Sequence, residues 1–167
     1  MKTRAQSGFS IIELLVVVTI VLIIAAIAVP HYLSSKIAAK EAATVGSLRS
    51  ITSALMVYTA TYPAAGYPPS LPALSDGGSV SNCAPSNIPT SSNACLIDNS
   101  LAGGNKSGYL YTYAPAGSSS PPAGYNLNAD PITRGVTGRR SFFTNVPGVI
   151  HWNATTSATE SDPSIPM

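Results

Sequence analysis

The side chains that could carry chemistry are few and widely spaced in this 167-residue chain. It has two histidines, His31 and His151, two cysteines and seven acidic residues. Neither histidine has a serine or cysteine at the spacing of a catalytic motif, and there is no phosphate-binding loop or zinc-protease motif. Loop oxygens near Asp130 offer a Ca²⁺ site as an alternative, but no EF-hand spacing supports it. We therefore expect no enzyme activity, no cofactor and no metal site.

The two cysteines, Cys83 and Cys95, lie in a segment rich in Pro, Gly, Ser and Asn. In an oxidising compartment they would form a disulfide, which by chain-entropy arguments contributes about 3 kcal/mol. The alternatives are two free thiols or half of a metal site. Because no histidine or second cysteine pair lies near them in the sequence, we expect the disulfide.

An apolar run occupies residues 9–29 and contains a single charged residue, Glu13. At roughly 1.5 Å per residue, a helix of this length spans a bilayer core of about 30 Å. A carboxylate inside a membrane segment costs about 2.5–3.5 kcal/mol on insertion scales unless it reaches water or a partner. One interpretation is that Glu13 lies near the cytoplasmic interface and stays hydrated. The other is that it has a specific partner.

Two simpler interpretations of the apolar run remain open at this point. A secretory signal peptide would have a basic start, as Lys2 and Arg4 provide, and residues 25–28 could mimic a cleavage site. The run is nevertheless longer than the roughly 7–15 apolar residues of such signals. A plain membrane anchor, with its N-terminus in the cytoplasm by the positive-inside rule, fits the length. Neither interpretation explains Glu13.

The N-terminal pattern is a basic leader ending in Gly8, then Phe9, then Ser-Ile-Ile-Glu13 and a long apolar helix. This pattern resembles the class III signal of type IV prepilins and type II secretion pseudopilins. The resemblance implies that a prepilin peptidase cleaves between Gly8 and Phe9 and that the new amino group of Phe9 is methylated. It also implies that Glu13, the fifth residue of the mature chain, pairs with the Phe9 amine of a neighbouring subunit. Since an unpaired buried charge is penalised, such a pair would set the register of docked subunits.

The resemblance implies a structural subunit, a pilin, of a type IV pilus-like filament that is a homo-oligomer built through residues 9–29. Its implied partners are the prepilin peptidase, an inner-membrane platform protein and an assembly ATPase. The chain would cross the inner membrane once before assembly and reside in an extracellular pilus or a periplasmic pseudopilus afterwards. The alternatives are a type II secretion pseudopilin and, from another class, a membrane-anchored binding domain that never polymerises. The net charge of +2 predicts no nucleic-acid partner.

Residues 30–62 predict an amphipathic helix that continues the apolar one, with a kink at Pro30 and an end at Tyr62 before Pro63. The predicted apolar face comprises Ile37, Val45, Leu48, Ile51, Leu55, Tyr58 and Tyr62. The charged residues Lys36, Lys40, Glu41 and Arg49 are expected largely off that face.

The remaining segments follow from composition and periodicity. Residues 1–8 form the leader, residues 63–108 an irregular loop that bears the disulfide, and residues 154–167 a polar, frayed tail. Residues 109–153 predict an antiparallel sheet of three or four strands, near 109–113, 125–129, 140–144 and 149–153. The expected fold is therefore α+β, with a long N-terminal helix, half transmembrane and half amphipathic, packed on a small C-terminal antiparallel sheet.

Overall fold

A computed structural model describes residues 9–77, 80–84, 86–117 and 119–165. The chain divides into two compact units, Met1–Lys36 and Ile37–Met167. The predicted leader, residues 1–8, lies outside the described residues. The elements are helix α1 (Ile11–Thr61), two short 3-10 turns (Leu71–Leu74 and Val80–Cys83), helix α2 (Asn99–Ala102), and strands β1 (Asn105–Lys106), β2 (Tyr109–Ala116), β3 (Gly124–Pro131), β4 (Ser141–Asn145) and β5 (Ile150–Asn153). This arrangement confirms the predicted α+β class.

Helix α1 forms because its sequence is apolar in the first half and periodic in the second. Pro30 lies inside α1, and the helix continues through it; the predicted kink stays a prediction. In the second unit the buried residues of α1 recur at helical spacing, so one face of the helix meets the core. These residues are Ile37, Glu41, Thr44, Leu48, Ile51, Thr52, Ala54, Leu55 and Tyr58.

The placement of Glu41 off the buried face was wrong. Its side chain is buried, because positions 37, 41, 44 and 48 share one helix face. Its Oε1 accepts hydrogen bonds from the backbone N–H of Arg139 at 2.7 Å and of Arg140 at 3.1 Å. Its Oε2 lies 2.8 Å from both Nε and Nη2 of Arg140. Glu41 thus ties α1 to the segment that enters β4.

The sheet is an antiparallel meander in the order β1-β2-β3-β4-β5. It has one strand more than the predicted three or four, because β1 pairs with the start of β2 through a two-residue turn. Both turn residues, Ser107 and Gly108, have positive φ, 57° and 81°. That conformation matches the right-handed twist of a hairpin. The Ser-Gly pair is a weaker hairpin signal than Asn-Gly, and the two-residue strand has no alternating pattern of its own.

Aromatic side chains of the sheet fill the core against α1. Tyr109, Tyr125 and Phe142 are fully buried. The hydroxyl of Tyr109 donates to the carbonyl of Arg140 at 2.8 Å, which satisfies its polar end. Burial raises the pKa of Tyr109 well above its usual value, and the Glu41 carboxylate adds to the effect. Gly138 is required here, since a Cβ at that position would overlap the Tyr109 ring.

The long loop between α1 and the sheet is held at several points. Cys83 and Cys95 form a disulfide. The backbone N–H groups of Leu96 and Ile97 donate to the carbonyl of Leu74 at 2.7 and 3.1 Å. The hydroxyl of Tyr58 reaches the carbonyl of Ser91 at 2.8 Å, which fastens the loop to α1. The loop therefore contains little regular structure but many fixed contacts.

The expectation of a frayed tail was wrong for the described residues 154–165. The N–H of Trp152 donates to Pro163 at 3.0 Å, and that of Ile165 donates to Ile150 at 2.8 Å. Ala158 is buried, and its carbonyl accepts from the Asn128 side chain at 2.9 Å. These bonds cover the free edge of β5. They use mainly backbone groups, so the polar composition of the tail gave no sign of them.

We predict that Glu41→Gln lowers the free energy of unfolding by about 2 kcal/mol, because two backbone N–H groups and a guanidinium lose a charged acceptor. Urea unfolding of the detergent-solubilised full chain, followed by near-ultraviolet circular dichroism, measures the change. Glu160→Gln is the matched control, since Glu160 is exposed, and it should change stability by less than about 0.5 kcal/mol. Equal effects of the two substitutions would contradict the role of Glu41.

Candidate functional site

The first unit has an apolar surface that nothing in the described chain covers. The apolar helix reaches a mean hydropathy of 3.1 over an 18-residue window, and none of that window is buried. The side chain of Phe9 is 86% exposed and that of Ile11 equally so. By length and composition, the helix can cross a membrane. Such a surface requires either lipid or other apolar helices around it.

Glu13 lies in the first turn of α1, where the helix begins around Ser10. The carbonyl of Ser10 accepts from the N–H of Glu13 at 3.1 Å and of Leu14 at 3.2 Å. An acidic side chain at this end interacts favourably with the helix dipole. Within the described part of the chain, no donor bonds to the Glu13 carboxylate. A cation paired with this carboxylate would therefore have to come from outside these residues, whereas a position at the hydrated membrane interface would need none.

The other hydroxyl-bearing residue deep in the run, Thr19, has its polar atom satisfied. Its Oγ1 donates to the carbonyl of Val16 at 2.7 Å, within the helix. This local bond removes most of the cost of placing a hydroxyl among apolar groups. Glu13 is the one charged residue of residues 9–29, and its side chain, unlike that of Thr19, has no bond within the described chain.

The structure brings together only some of the residues predicted as site residues. Phe9 and Glu13 lie four positions apart at the start of α1, and Phe9 precedes the first helical residue by two positions. Gly8 lies outside the described residues. Pro30 lies further along α1, and the disulfide of Cys83 and Cys95 belongs to the second unit. Among the described residues, no group of three or more His, Cys, Asp and Glu side chains is arranged to hold a metal ion.

Sequence reasoning missed a groove in the second unit. It is a cavity of about 590 Å³ lined by Arg49 of α1, the turn after β4, and the tail. Its lining residues are Arg49, Pro147, Gly148, Val149, Ile150, Ser164 and Ile165. Arg49 is about 100 positions from the other lining residues, which come from two further segments, so no local pattern could have indicated the groove. Arg49 is the one charged residue that lines the groove, and its charge was the only feature in the sequence that could have drawn attention to it.

Comparison with known proteins adds independent information on the N-terminal segment. A family model for the prokaryotic N-terminal methylation motif matches residues 3–29. The chain is 43% identical over 58 residues, 35% of its length, to the type II secretion system core protein G of Pseudomonas aeruginosa strain PAO1. It spans 41% of the length of that relative. No solved structure matches the chain.

The motif lies over the same apolar run that the fold leaves uncovered, and it includes Phe9 and Glu13. The relative is a secretion-system core protein, and the α+β fold places a long apolar helix before an antiparallel sheet. The methylation motif, this partial identity and the α+β fold with its long apolar N-terminal helix make the chain similar to type IV pilins and pseudopilins, in sequence over its N-terminal third.

Proposed function

We propose that the chain is a structural subunit of a type IV pilus-like filament, polymerised through residues 9–29. The observation that carries the proposal is an apolar helix surface with no cover in the described chain and a single carboxylate, Glu13, without a described donor. A lipid bilayer can cover the apolar side chains of the stored subunit. Only a neighbouring helix with a suitably placed cation can cover both the surface and the charge.

Cleavage between Gly8 and Phe9 supplies that cation. It creates a free α-amino group on Phe9, which is positive at neutral pH and remains a cation when methylated once. A neighbouring copy shifted along the filament axis can place its Phe9 amine against Glu13. Each charge then lowers the desolvation cost of the other. The pair contributes register more than stability, because a misplaced subunit leaves two buried charges unpaired.

In the proposed filament, Pro30 would bend α1 at the end of the core segment. It has no N–H to donate, so α1 lacks one internal hydrogen bond at that turn, and the proline ring crowds the preceding turn. We assign to it a kink at the end of the filament-core segment, residues 9–29, before the head segment that starts at residue 30. A bend there would let the core segments pack together while heads take different positions.

Assembly requires partners outside this chain. A prepilin peptidase would process Gly8–Phe9, an inner-membrane platform protein would receive the subunit, and an ATPase would drive its extraction from the membrane. The sequence of this chain has no phosphate-binding loop with which to use ATP itself. Before assembly the subunit would span the inner membrane once, with its N-terminus in the cytoplasm and its disulfide-bearing head on the oxidising side.

The second candidate function is that of a type II secretion pseudopilin. The identity to the type II secretion system core protein G of Pseudomonas aeruginosa favours it. The two candidates share processing, the membrane-embedded store and assembly through residues 9–29. They differ in where the filament ends: a pilus extends from the cell surface, whereas a pseudopilus stays in the periplasm.

We predict that Glu13→Leu leaves the subunit in the membrane but lowers the amount of sheared filament by about tenfold or more. The substitution removes the proposed pair with the Phe9 amine, and a loss of about 1.4 kcal/mol corresponds to a tenfold change. Immunoblots of sheared and membrane fractions from cells that make the assembly machinery measure both pools. Thr19→Leu is the control and should assemble normally, because the Thr19 hydroxyl is already satisfied within its helix. Equal filament yields from Glu13→Leu and wild type would contradict the role of Glu13, whereas membrane insertion of both with no filament from either would favour the anchored binding domain.

We further predict that wild-type subunits appear as long filaments in the sheared surface fraction. The proposed pilus extends past the envelope, so shearing should release it without lysing cells. A periplasmic marker protein in the same fractions controls for leakage. Filaments retained wholly with the envelope would instead support the pseudopilin candidate.

A further inference from the structure

Most of the charged side chains of the described head, residues 37–165, are bonded within the chain. Glu41 pairs with Arg140, and Lys106 with Asp98. The carboxylate of Asp162 accepts from Asn153 and Thr159, and that of Asp76 accepts from Asn99. Arg134 donates to four oxygens of the chain, and Arg139 is also engaged. Lys40 and Asp130 have no bond to the described residues, but both are half-buried, and Oδ1 of Asp130 is fully buried.

Two charges in these described residues are both exposed and without a bond: one cation, Arg49, and one carboxylate, Glu160. They are opposite in sign. Among the exposed charged side chains of the described head, Arg49 and Glu160 are therefore the complementary pair left for contacts with another molecule.

Arg49 lies at the groove formed beside α1. The walls of the groove are mainly apolar, with Pro147, Val149, Ile150 and Ile165 among its lining residues. An ion pair formed against apolar walls is less screened than one in open water. Arginine also suits such a place better than lysine, because its guanidinium is weakly hydrated and can hold a carboxylate with two parallel bonds.

Glu160 is exposed in a turn of the tail, residues 159–162, that hydrogen bonds close. The N–H of Asp162 donates to the carbonyl of Thr159 at 3.2 Å. The Asp162 carboxylate accepts from the N–H of Thr159 at 2.7 Å and from its hydroxyl at 3.0 Å. The hydrogen bond from the Thr159 N–H is the main cause that holds the pKa of the Asp162 carboxyl below its usual range. A turn that is already ordered loses little conformational entropy on binding.

The two residues lie on opposite sides of the sheet. Leu127 and Ala129 of β3 belong to the core that includes Leu48 and Ile51 of α1. Asn128 therefore points to the other side, by strand alternation, and it donates to the tail at Ala158. Asn153, the partner of Asp162, lies on that same side through its pairing with Ser141, next to core residue Phe142. The Glu160 turn is thus on the face away from α1, and Arg49 is on α1.

We propose that Arg49 of one copy binds Glu160 of the next copy, with the turn at residues 159–162 seated at the groove. The inference deepens the proposed function and rests on it. Because donor and acceptor surfaces differ and lie on opposite sides of the sheet, the contact is head-to-tail, and repeated head-to-tail contacts produce an open helical assembly rather than a closed dimer.

One ion pair and one turn bury far less than the roughly 1,200–2,000 Å² of a stable interface. The contact therefore operates only between heads that the helices at residues 9–29 already hold close together. Under that condition the effective concentration is high, and a weak contact is occupied. Its charge complementarity selects the orientation of neighbouring heads.

Charge reversal in the full-length chain tests the contact. We expect Arg49→Glu and Glu160→Arg each to lower the yield of sheared filaments by about tenfold, since each places like charges together. The double variant restores the pair in the opposite sense and should return the yield to near wild type. Glu160→Asp keeps the charge and serves as the control. Failure of the double variant to recover, or wild-type yields from both single variants, would overturn the proposal.

Crosslinking tests whether the contact joins different copies. Arg49→Cys with Glu160→Cys in one chain, treated as filaments with a short bismaleimide, should give a ladder of dimers, trimers and longer species. Cys83 and Cys95 are joined to each other, so they do not compete, and each single-cysteine variant should give no ladder. A crosslinked monomer alone would overturn the proposal. If wild-type chains form filaments but no ladder appears, only this contact fails; if wild-type chains form none, the proposed function fails with it.

Discussion

The exposed apolar helix at residues 9–29 cannot remain in water, and the rest of the account depends on that constraint. Its side chains are open to their surroundings along the whole span, and the described chain offers them no cover. Lipid can cover them in a single copy, and other copies can cover them in an assembly. In the proposed filament Glu13 makes these two environments unequal, because lipid offers no partner for a carboxylate whereas a neighbour cleaved before Phe9 would offer an amine.

The head, residues 37–165, is stabilised by contacts of the second part of α1, the disulfide-bearing loop, the sheet and the tail. Residues 37–61 of α1 bury one face against the sheet, and Glu41 on that face accepts two backbone N–H groups beside β4. The disulfide and the hydrogen bonds to Leu74 fix the loop that follows α1. The tail covers the edge of β5, which would otherwise be free to pair with another strand.

The sequence was sufficient to predict the α+β class, the apolar helix, the four longer strands and their antiparallel order, because these have clear periodicity and turn signals. It was insufficient for Glu41, since a charged residue is ordinarily placed outside the core and its three donors lie 98 and 99 positions away. β1 was missed because two residues carry no pattern, and its turn uses Ser107 where asparagine is usual. The tail was misjudged because its order comes from backbone and side-chain bonds to residues 128, 134 and 150–153, partners that composition does not reveal.

Some residues of the candidate site could likewise be predicted from the sequence, and others could not. Phe9 and Glu13 could be picked out because a leader, an aromatic residue and an acid at fixed spacing form a local pattern. The groove at Arg49 could not, because its walls come from distant segments and exist only once the sheet has formed. Glu160 gave no signal either, because an acidic residue in a polar tail is common. It is distinguished only in the structure, where the nearby Asp162 is bonded and Glu160 is not.

The most direct test of the central claim is mass spectrometry of the intact chain and its N-terminal peptide, on protein sheared from cells. The account predicts a mature chain that starts at Phe9 with a methylated amino group and with Cys83 and Cys95 oxidised. A chain that still starts at Met1 and occurs only in membranes would contradict it. Glu13 would then be a hydrated residue at the membrane interface, and the helix an anchor for a domain that does not polymerise.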